Sequence, residues 1–280
     1  MRTTRTRTRG AARAALTTLA ALTLLAVAAC GPVNRGSDLA DQAEAALRDA
    51  PGVAEVVGSG QNPLPWTGSA AADVRLDPGA TREDALAVVA RATGLMRDAG
   101  GDLEVRLAQD VDGTDVVLTL DPDRDPAEQL DRRDAVAALV AGGSLTIRPD
   151  GVPVDTGSSA STAVGTTVAA DVADAAQAAA LVTGLGGAVA DWADADVTAT
   201  LPDGRTITAR PASSPAAALL GDLAHAGVPV RSGSVNRTAA WLRVDPGALD
   251  AAREVADARP DLRVTVAAAD APTPAPSTTP

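Results

Sequence analysis

The stretch DLEVRLAQDVDGTDVVLTLDPDRDPAE, residues 102–128, sets the fold class. Leu103, Val105 and Leu107 alternate with Glu104 and Arg106, and Val116, Leu118 and Leu120 repeat the pattern after an Asp112-Gly113 turn. Alternation with period two is the mark of strands with one apolar face, and Asp-Gly between two such runs predicts a hairpin. Asp125-Pro126-Ala127-Glu128 then supplies an N-cap, a proline at the first helical position and a carboxylate at the third. Two strands followed by a capped helix thus lie within 27 residues.

The same grammar recurs along the chain. Helical spacing appears near Asp38–Ala50, Thr81–Ala99, Ala127–Ala141, Asp171–Leu185, Pro215–Ala226 and Ala248–Ala258, mostly followed by two strands. Val197–Leu201 and Thr206–Arg210 flank Asp203-Gly204, and Ser214-Pro215 repeats the cap. Val74-Arg75-Leu76-Asp77-Pro78-Gly79-Ala80 and Leu242-Arg243-Val244-Asp245-Pro246-Gly247-Ala248 each end a strand and open a helix. A repeated helix–strand–strand unit is the simplest description. The expected fold class is α/β (α+β): two related two-layer sandwiches, ferredoxin-like in general plan, with three units on each side of the Gly/Ser/Thr stretch. The expected boundaries are a leader at 1–29, a tether at 30–37, α/β domains at 38–155 and 163–268, a linker at 156–162 and a Pro/Thr-rich tail at 269–280.

The leader carries Arg2, Arg5, Arg7, Arg9 and Arg13, then an uncharged segment from Ala15 to Ala29. About fifteen residues at 1.5 Å rise cover only ~22 Å, short of a ~30 Å hydrocarbon core, so an export signal is favoured over a permanent span. No two of these arginines are adjacent, which favours general secretion over twin-arginine export. Leu25-Ala26-Val27-Ala28-Ala29-Cys30-Gly31 resembles the lipobox of bacterial lipoproteins, and Cys30 is the only cysteine. The resemblance implies that the Cys30 sulfur is acylated, that it becomes the first mature residue, and that the protein is exported and anchored to the outer face of the cell membrane. With Cys30 acylated no disulfide can form, and stability rests on packing. Residues Asp196 to Val230 resemble the small bacterial BON module, with Gly227-Val228-Pro229-Val230 entering a strand, and Gln42–Val57 resembles that module's helix and last strand. Arg205-Thr206-Ile207-Thr208-Ala209 lacks the family's second strand glycine. That resemblance covers a quarter to a third of the mature chain and implies envelope or phospholipid-associated binding.

Charge and composition exclude several classes. The formal charge is −12, and removing 1–29 takes away five arginines and no acid, leaving −17. Nucleic acid and anionic headgroups are repelled by such a field, so the membrane contact expected is the Cys30 acyl chains alone. Phe and Tyr are absent, so the core must be built from Val, Leu and Ala, which suits close packing more than a roomy cavity.

Catalytic and metal chemistry find little support. His225, the only histidine, falls in the last turn of a helix and cannot supply a zinc site or a triad without partners. An EF-hand counted from Asp121 would put Pro126 at the glycine position and Arg132 at the final carboxylate, so the motif fails. Asp110, Asp112, Asp115, Asp123 and Asp125 read as turn and cap residues, and Gly184-Leu185-Gly186-Gly187 as a helix end. No metal, cofactor or catalytic set is expected. Trp66, Trp192 and Trp241 are the only aromatic residues. Trp241 and Arg243 should lie on the strand face away from Leu242 and Val244, and Arg75, Arg106, Arg148, Arg210 and Arg263 fall on corresponding faces. Trp241, Arg243, Arg75, Arg106, Arg210 and Arg263 are therefore the candidate partner-binding residues, with pairing to Asp73 and Glu104 as the competing reading.

The expected function is a lipid-anchored envelope binding or scaffold protein that meets another protein or a cell-wall component. The alternatives are an envelope hydrolase using an Asp/Glu pair and a small-molecule-binding lipoprotein. Cys30→Ser is expected to block processing or release the protein from the membrane. Fractionation with mass spectrometry of the N-terminus checks this, and a variant that is still cleaved and membrane-bound refutes lipidation.

Overall fold

The computed structural model describes residues 34–64, 67–140, 142–150, 154–155, 160–161, 165–192 and 194–271. The expected leader at 1–29, Cys30, Trp66 and the residues from Pro272 onward lie outside the described residues. Six helices are described: α1 Arg35–Arg48, α2 Arg82–Asp98, α3 Pro126–Ala137, α4 Ala175–Ala188, α5 Pro215–His225 and α6 Leu249–Asp257. None is long and apolar enough to cross a membrane.

Eleven strands form one mixed sheet in chain order: β1 Val53–Leu64, β2 Thr67–Leu76, β3 Leu103–Val111, β4 Thr114–Thr119, β5 Gly143–Arg148, β8 Thr167–Asp171, β9 Asp196–Thr200, β10 Thr206–Arg210, β11 Val230–Asn236, β12 Ala239–Val244 and β13 Arg263–Ala268. Two short strands, β6 Val154–Asp155 and β7 Ala160–Ser161, pair with each other between β5 and β8. Neighbours within a helix–strand–strand unit are antiparallel, as in β1–β2, β3–β4, β5–β8, β9–β10 and β11–β12. Neighbours separated by a helix are parallel, as in β2–β3, β4–β5, β8–β9, β10–β11 and β12–β13. A hairpin needs only a turn, whereas a parallel neighbour needs a crossover, and the helix is that crossover.

Where two sheets were expected, the chain forms one. Leu145 pairs with Ala170 and Ile147 with Val168, so the sheet runs through the region of the expected linker. That region is a connection inside the third unit, between its two strands, and both strands bury residues in the same core as the rest. Residues 156–159 and 162 of the Gly/Ser/Thr stretch lie outside the described residues. Composition reports a poor core former and is silent on whether the strands on either side pair.

Local signals account for the elements. Asp112 and Gly113 both have positive φ (51° and 84°), the geometry of a primed two-residue hairpin turn. Asp125 Oδ1 accepts from the backbone N–H of Ala127 and Glu128 at 2.9 and 3.1 Å, capping α3. Thr81 and Asp84 form a reciprocal capping box on α2, and Ser214 caps α5. The helix expected over Asp171–Leu185 is displaced: Asp171 ends β8, Asp174 caps α4 through the Gln177 N–H at 2.9 Å, and α4 runs on to Ala188. The glycines 184, 186 and 187 therefore lie inside the helix instead of ending it. Gly184 fits there because a Cβ would come within 3.0 Å of the Leu139 side chain.

The buried strand residues are the alternate ones. Leu103, Val105 and Leu107 are buried while Glu104, Arg106 and Ala108 are not, and Val197 and Ala199 alternate with half-buried Asp196, Thr198 and Thr200. Each helix contacts the next in chain order, α1 through α6. Leu47, Val88, Val89, Leu130, Leu181, Leu219 and Leu220 from the helices meet Val105, Leu118, Ile147, Val197 and Leu242 from the strands in one apolar cluster. Burying each such aliphatic side chain contributes about 1.5–3 kcal/mol. The small side chains let the layers approach closely.

At the N-terminal end this approach reaches backbone contact. A Cβ on Gly36 would lie 2.3 Å from the Gln61 carbonyl oxygen and 2.7 Å from that of Ser69. Gly60 and Gly68 are equally closed by the Gly36 backbone. The Gly36 N–H donates to Asn62 Oδ1 at 2.7 Å, and Asn62 Nδ2 donates to Ser37 Oγ at 2.9 Å, so β1 supplies the cap that the helix lacks from its own Asn34. Gly36→Ala is expected to destabilise by about 1–3 kcal/mol through overpacking. Gly94→Ala, inside α2 with nothing within 4 Å of its Cβ, is expected to stabilise by about 0.5–1 kcal/mol. Urea unfolding of the two variants checks the contrast, and equal effects would refute the backbone seat.

Candidate functional site

The strand residues that alternate with the core make up the second sheet face, and the ladders order them into rows. One row runs Asp73, Arg106, Thr119 across β2–β4. Another runs Thr146, Ala169, Thr198, Thr208, Ser234, Trp241, Thr265 across β5 and β8–β13. The face therefore has two chemistries, one dominated by ion pairs toward β1 and one dominated by hydroxyls toward β12.

On the charged part the candidate arginines sit among carboxylates. Arg106 Nε lies 2.7 Å from Asp73 Oδ1 and 3.5 Å from Glu104, and Arg148 lies 3.6 Å from the same glutamate. Arg75 lies 3.7 Å from Asp115, and farther along, on the hydroxyl-bearing strands β10 and β9, Arg210 lies 3.5 Å from Asp196. Parallel and antiparallel pairing puts these residues side by side, so opposite charges on neighbouring strands find each other. Such exposed pairs each contribute about 0–1 kcal/mol, yet they cancel the positive potential that an anion would need. Arg75, Arg106 and Arg210 are thus brought onto one face with their counter-ions beside them. Arg263, exposed at the start of edge strand β13, makes no ion pair among the described residues.

Trp241 and Arg243 lie on β12 between buried Ala240, Leu242 and Val244, half-buried on the second face. The Arg243 guanidinium sits 5.1 Å from the Trp241 ring centroid, and its Nη1 donates to the Ala269 carbonyl at 3.2 Å. This contact fixes the ring at the β12 end of the hydroxyl-bearing part. Trp192 has a different role: it is 4% exposed, packed in the core beneath Arg132 at 5.8 Å.

The hydroxyl-bearing part holds a grid that the sequence reading passes over. Thr198 and Thr200 on β9, Thr206 and Thr208 on β10, and Ser232 and Ser234 on β11 present six hydroxyls on neighbouring strands. Thr198 faces Thr208, Thr208 faces Ser234, and Ser234 faces Trp241, while Thr200 faces Thr206 and Ser232 faces Arg243. Gly233 between the two serines is required, because a Cβ there would lie 2.7 Å from Leu242 Cδ2 and 2.5 Å from the Trp241 carbonyl oxygen. The available signal is Thr-Ala-Thr, Thr-Ile-Thr and Ser-Gly-Ser at residues 198–200, 206–208 and 232–234. Each reads alone as ordinary strand alternation, and only the pairing makes an array of them.

The aspartate clusters serve the backbone. Asp110 Oδ1 accepts from Gly113 N–H at 2.9 Å, and Asp121 Oδ1 from Asp123 N–H at 2.9 Å. No group of three His, Cys, Asp or Glu among the described residues could hold a metal. His225 is exposed in the last turn of α5, its Nδ1 2.8 Å from the Gly221 carbonyl oxygen. A cavity of about 290 Å³ between α4, α5 and the approach to β11 is lined by Asp174, Ala179, Leu220, Ala224, Val228 and Pro229 among others. A smaller one of about 100 Å³ lies between α1 and α2, beside Leu39, Gln42, Leu95 and Asp98. Each contains one carboxylate, so neither assembles the pair that glycoside hydrolysis uses.

Comparison of the chain with protein-family models, curated proteins and solved structures finds no match.

Near the grid, Arg231 clamps Asp245 with Nε–Oδ1 at 2.6 Å and Nη2–Oδ2 at 2.7 Å, tying the start of β11 to the end of β12. The guanidinium holds the Asp245 carboxyl below the usual carboxylate range, and the carboxylate raises Arg231 in turn. A carboxyl depressed by folding adds stability above its unfolded pKa and loses it as pH falls through the folded one. Asp245→Asn is expected to be less stable than the native chain at neutral pH and to converge with it below the usual carboxylate range. Denaturant midpoints measured across acid pH check this, and parallel curves would refute it.

Proposed function

We propose that this chain is a lipid-anchored, extracytoplasmic binding or scaffold protein of the bacterial cell envelope, without catalytic activity of its own. In this reading the helices cover one face of the sheet in a two-layer, ferredoxin-like plan, and the second face meets the partner. The observation that carries it is the asymmetry of the strands: one set of side chains is buried against the helices, while most of the alternate set, including Asp73, Arg75, Arg106, Thr146, Thr198, Thr208, Ser234 and Thr265, is polar and exposed or half-buried. Trp241 and Arg243 on that second face form its one aromatic contact point among the described residues.

The anchor reading rests on Leu25 to Gly31, and the BON-like stretches support an envelope setting. Cys30 precedes α1 by five residues, which span at most roughly 18 Å when extended. With Cys30 acylated, the α1 end of the molecule, held by Gly36 and Asn62, is therefore kept close to the membrane surface. The hydrolase alternative gains nothing from the two cavities, which each hold a single carboxylate.

Crosslinking and pull-down of the mature protein from envelope extracts, compared with a Trp241→Ala/Arg243→Ala double variant, test the binding face. The double variant is expected to lose the captured partner while keeping its unfolding free energy within about 1 kcal/mol of that of the native chain. An unchanged set of partners would overturn the assignment of the face.

A further inference from the structure

We infer that the hydroxyl grid on β9–β11, closed at one end by Trp241, is a binding site for a neutral polyhydroxylated chain, a glycan strand laid across the sheet. The inference rests on the binding reading above and names the class of ligand. Thr198, Thr200, Thr206, Thr208, Ser232 and Ser234 make no side-chain hydrogen bond among the described residues. Each hydroxyl is both a donor and an acceptor, and so is each hydroxyl of a sugar, so the two surfaces can satisfy one another without any change of charge. The grid repeats at the strand spacing of about 4.8 Å, so the row from Thr198 to Trp241 spans roughly 14 Å over four strands. A ligand that exploits it must itself repeat its hydroxyls along its length.

Charge selects the ligand further. The nearest ionic groups toward β8 and β10, Asp196 and Arg210, lie 3.5 Å from each other, and the Arg243 guanidinium lies against the Trp241 ring. Arg243, opposite Ser232, is a cation at the edge of the grid, and the chain as a whole carries a formal charge of −12, which opposes nucleic acid and anionic lipid. A protein interface would call for several apolar or aromatic anchors, and here Trp241 is the only one. An indole with an apolar face and a polar N–H edge suits the C–H face and hydroxyl rim of a pyranose.

The test uses the mature lipidated chain in a detergent without sugar headgroups, titrated by calorimetry and tryptophan fluorescence with chitohexaose and cellohexaose. Saturable binding to either is expected, with a change in tryptophan emission that Trp241→Ala removes. Thr198→Val with Thr208→Val keeps shape and strand preference while deleting two hydroxyls, and is expected to weaken binding about tenfold or more. Arg91→Ala, exposed on α2, is expected to leave it unchanged. Absence of saturable binding to both sugars, or binding indifferent to the valine pair and to Trp241→Ala, overturns the inference. If the sugars fail but capture of an envelope partner still depends on Trp241 and Arg243, the glycan class falls and the binding face stands. If both fail, both fall.

Discussion

The constraint on which the structure depends is the one-sidedness of its strands. Each carries small apolar side chains at every second position, so it can be dried on one face only, and the helix that follows each hairpin supplies that cover. Because the helix must cross over to start the next strand beside the last, parallel and antiparallel neighbours alternate without exception across the sheet. Each unit buries its apolar face partly against its neighbours, α1 on α2 and onward to α6, so stability is shared along the row. A core mainly of Val, Leu and Ala, with Trp192 the one buried tryptophan among the described residues, is sufficient because no element stands far from the next.

Close packing also explains the glycines. Gly36, Gly60 and Gly68 let a helix rest on a hairpin backbone to backbone, and Gly233 lets Leu242 occupy the space a side chain would fill. The same demand for small residues on the core side leaves the opposite side free to vary in chemistry. Toward β1 it varies toward salt bridges, with Arg106 set between Asp73 and Glu104. Toward β12 it becomes hydroxyls, Trp241 and Arg243. Binding by such a face would need no cavity, in keeping with the modest size of the two described above.

Much of this was legible in the chain before folding was considered. The strand runs at 103–107 and 116–120, the Asp112-Gly113 turn and the caps at Asp125 and Ser214 report local preferences, which act over a few residues and leave direct marks. The displacement of α4 toward Ala188 was not legible, because glycines 184, 186 and 187 read as a helix end, whereas the close approach of Gly184 to Leu139, in the turn after α3, is set by tertiary packing. Nor were the ion pairs of Arg75 and Arg210, whose partners Asp115 and Asp196 are 40 and 14 residues away and are set by register.

By itself, then, the sequence determined the unit: helix, strand, strand, with one apolar face and known turns, together with the acidic charge and the candidate anchor at Cys30. Only the tertiary structure decided that the units join into one sheet through β5 and β8, and that Thr198, Thr208, Ser234 and Trp241 fall in one row. The reason is physical: periodicity tells which way a side chain points, whereas which strand lies beside it depends on hydrogen bonds between segments far apart in the chain.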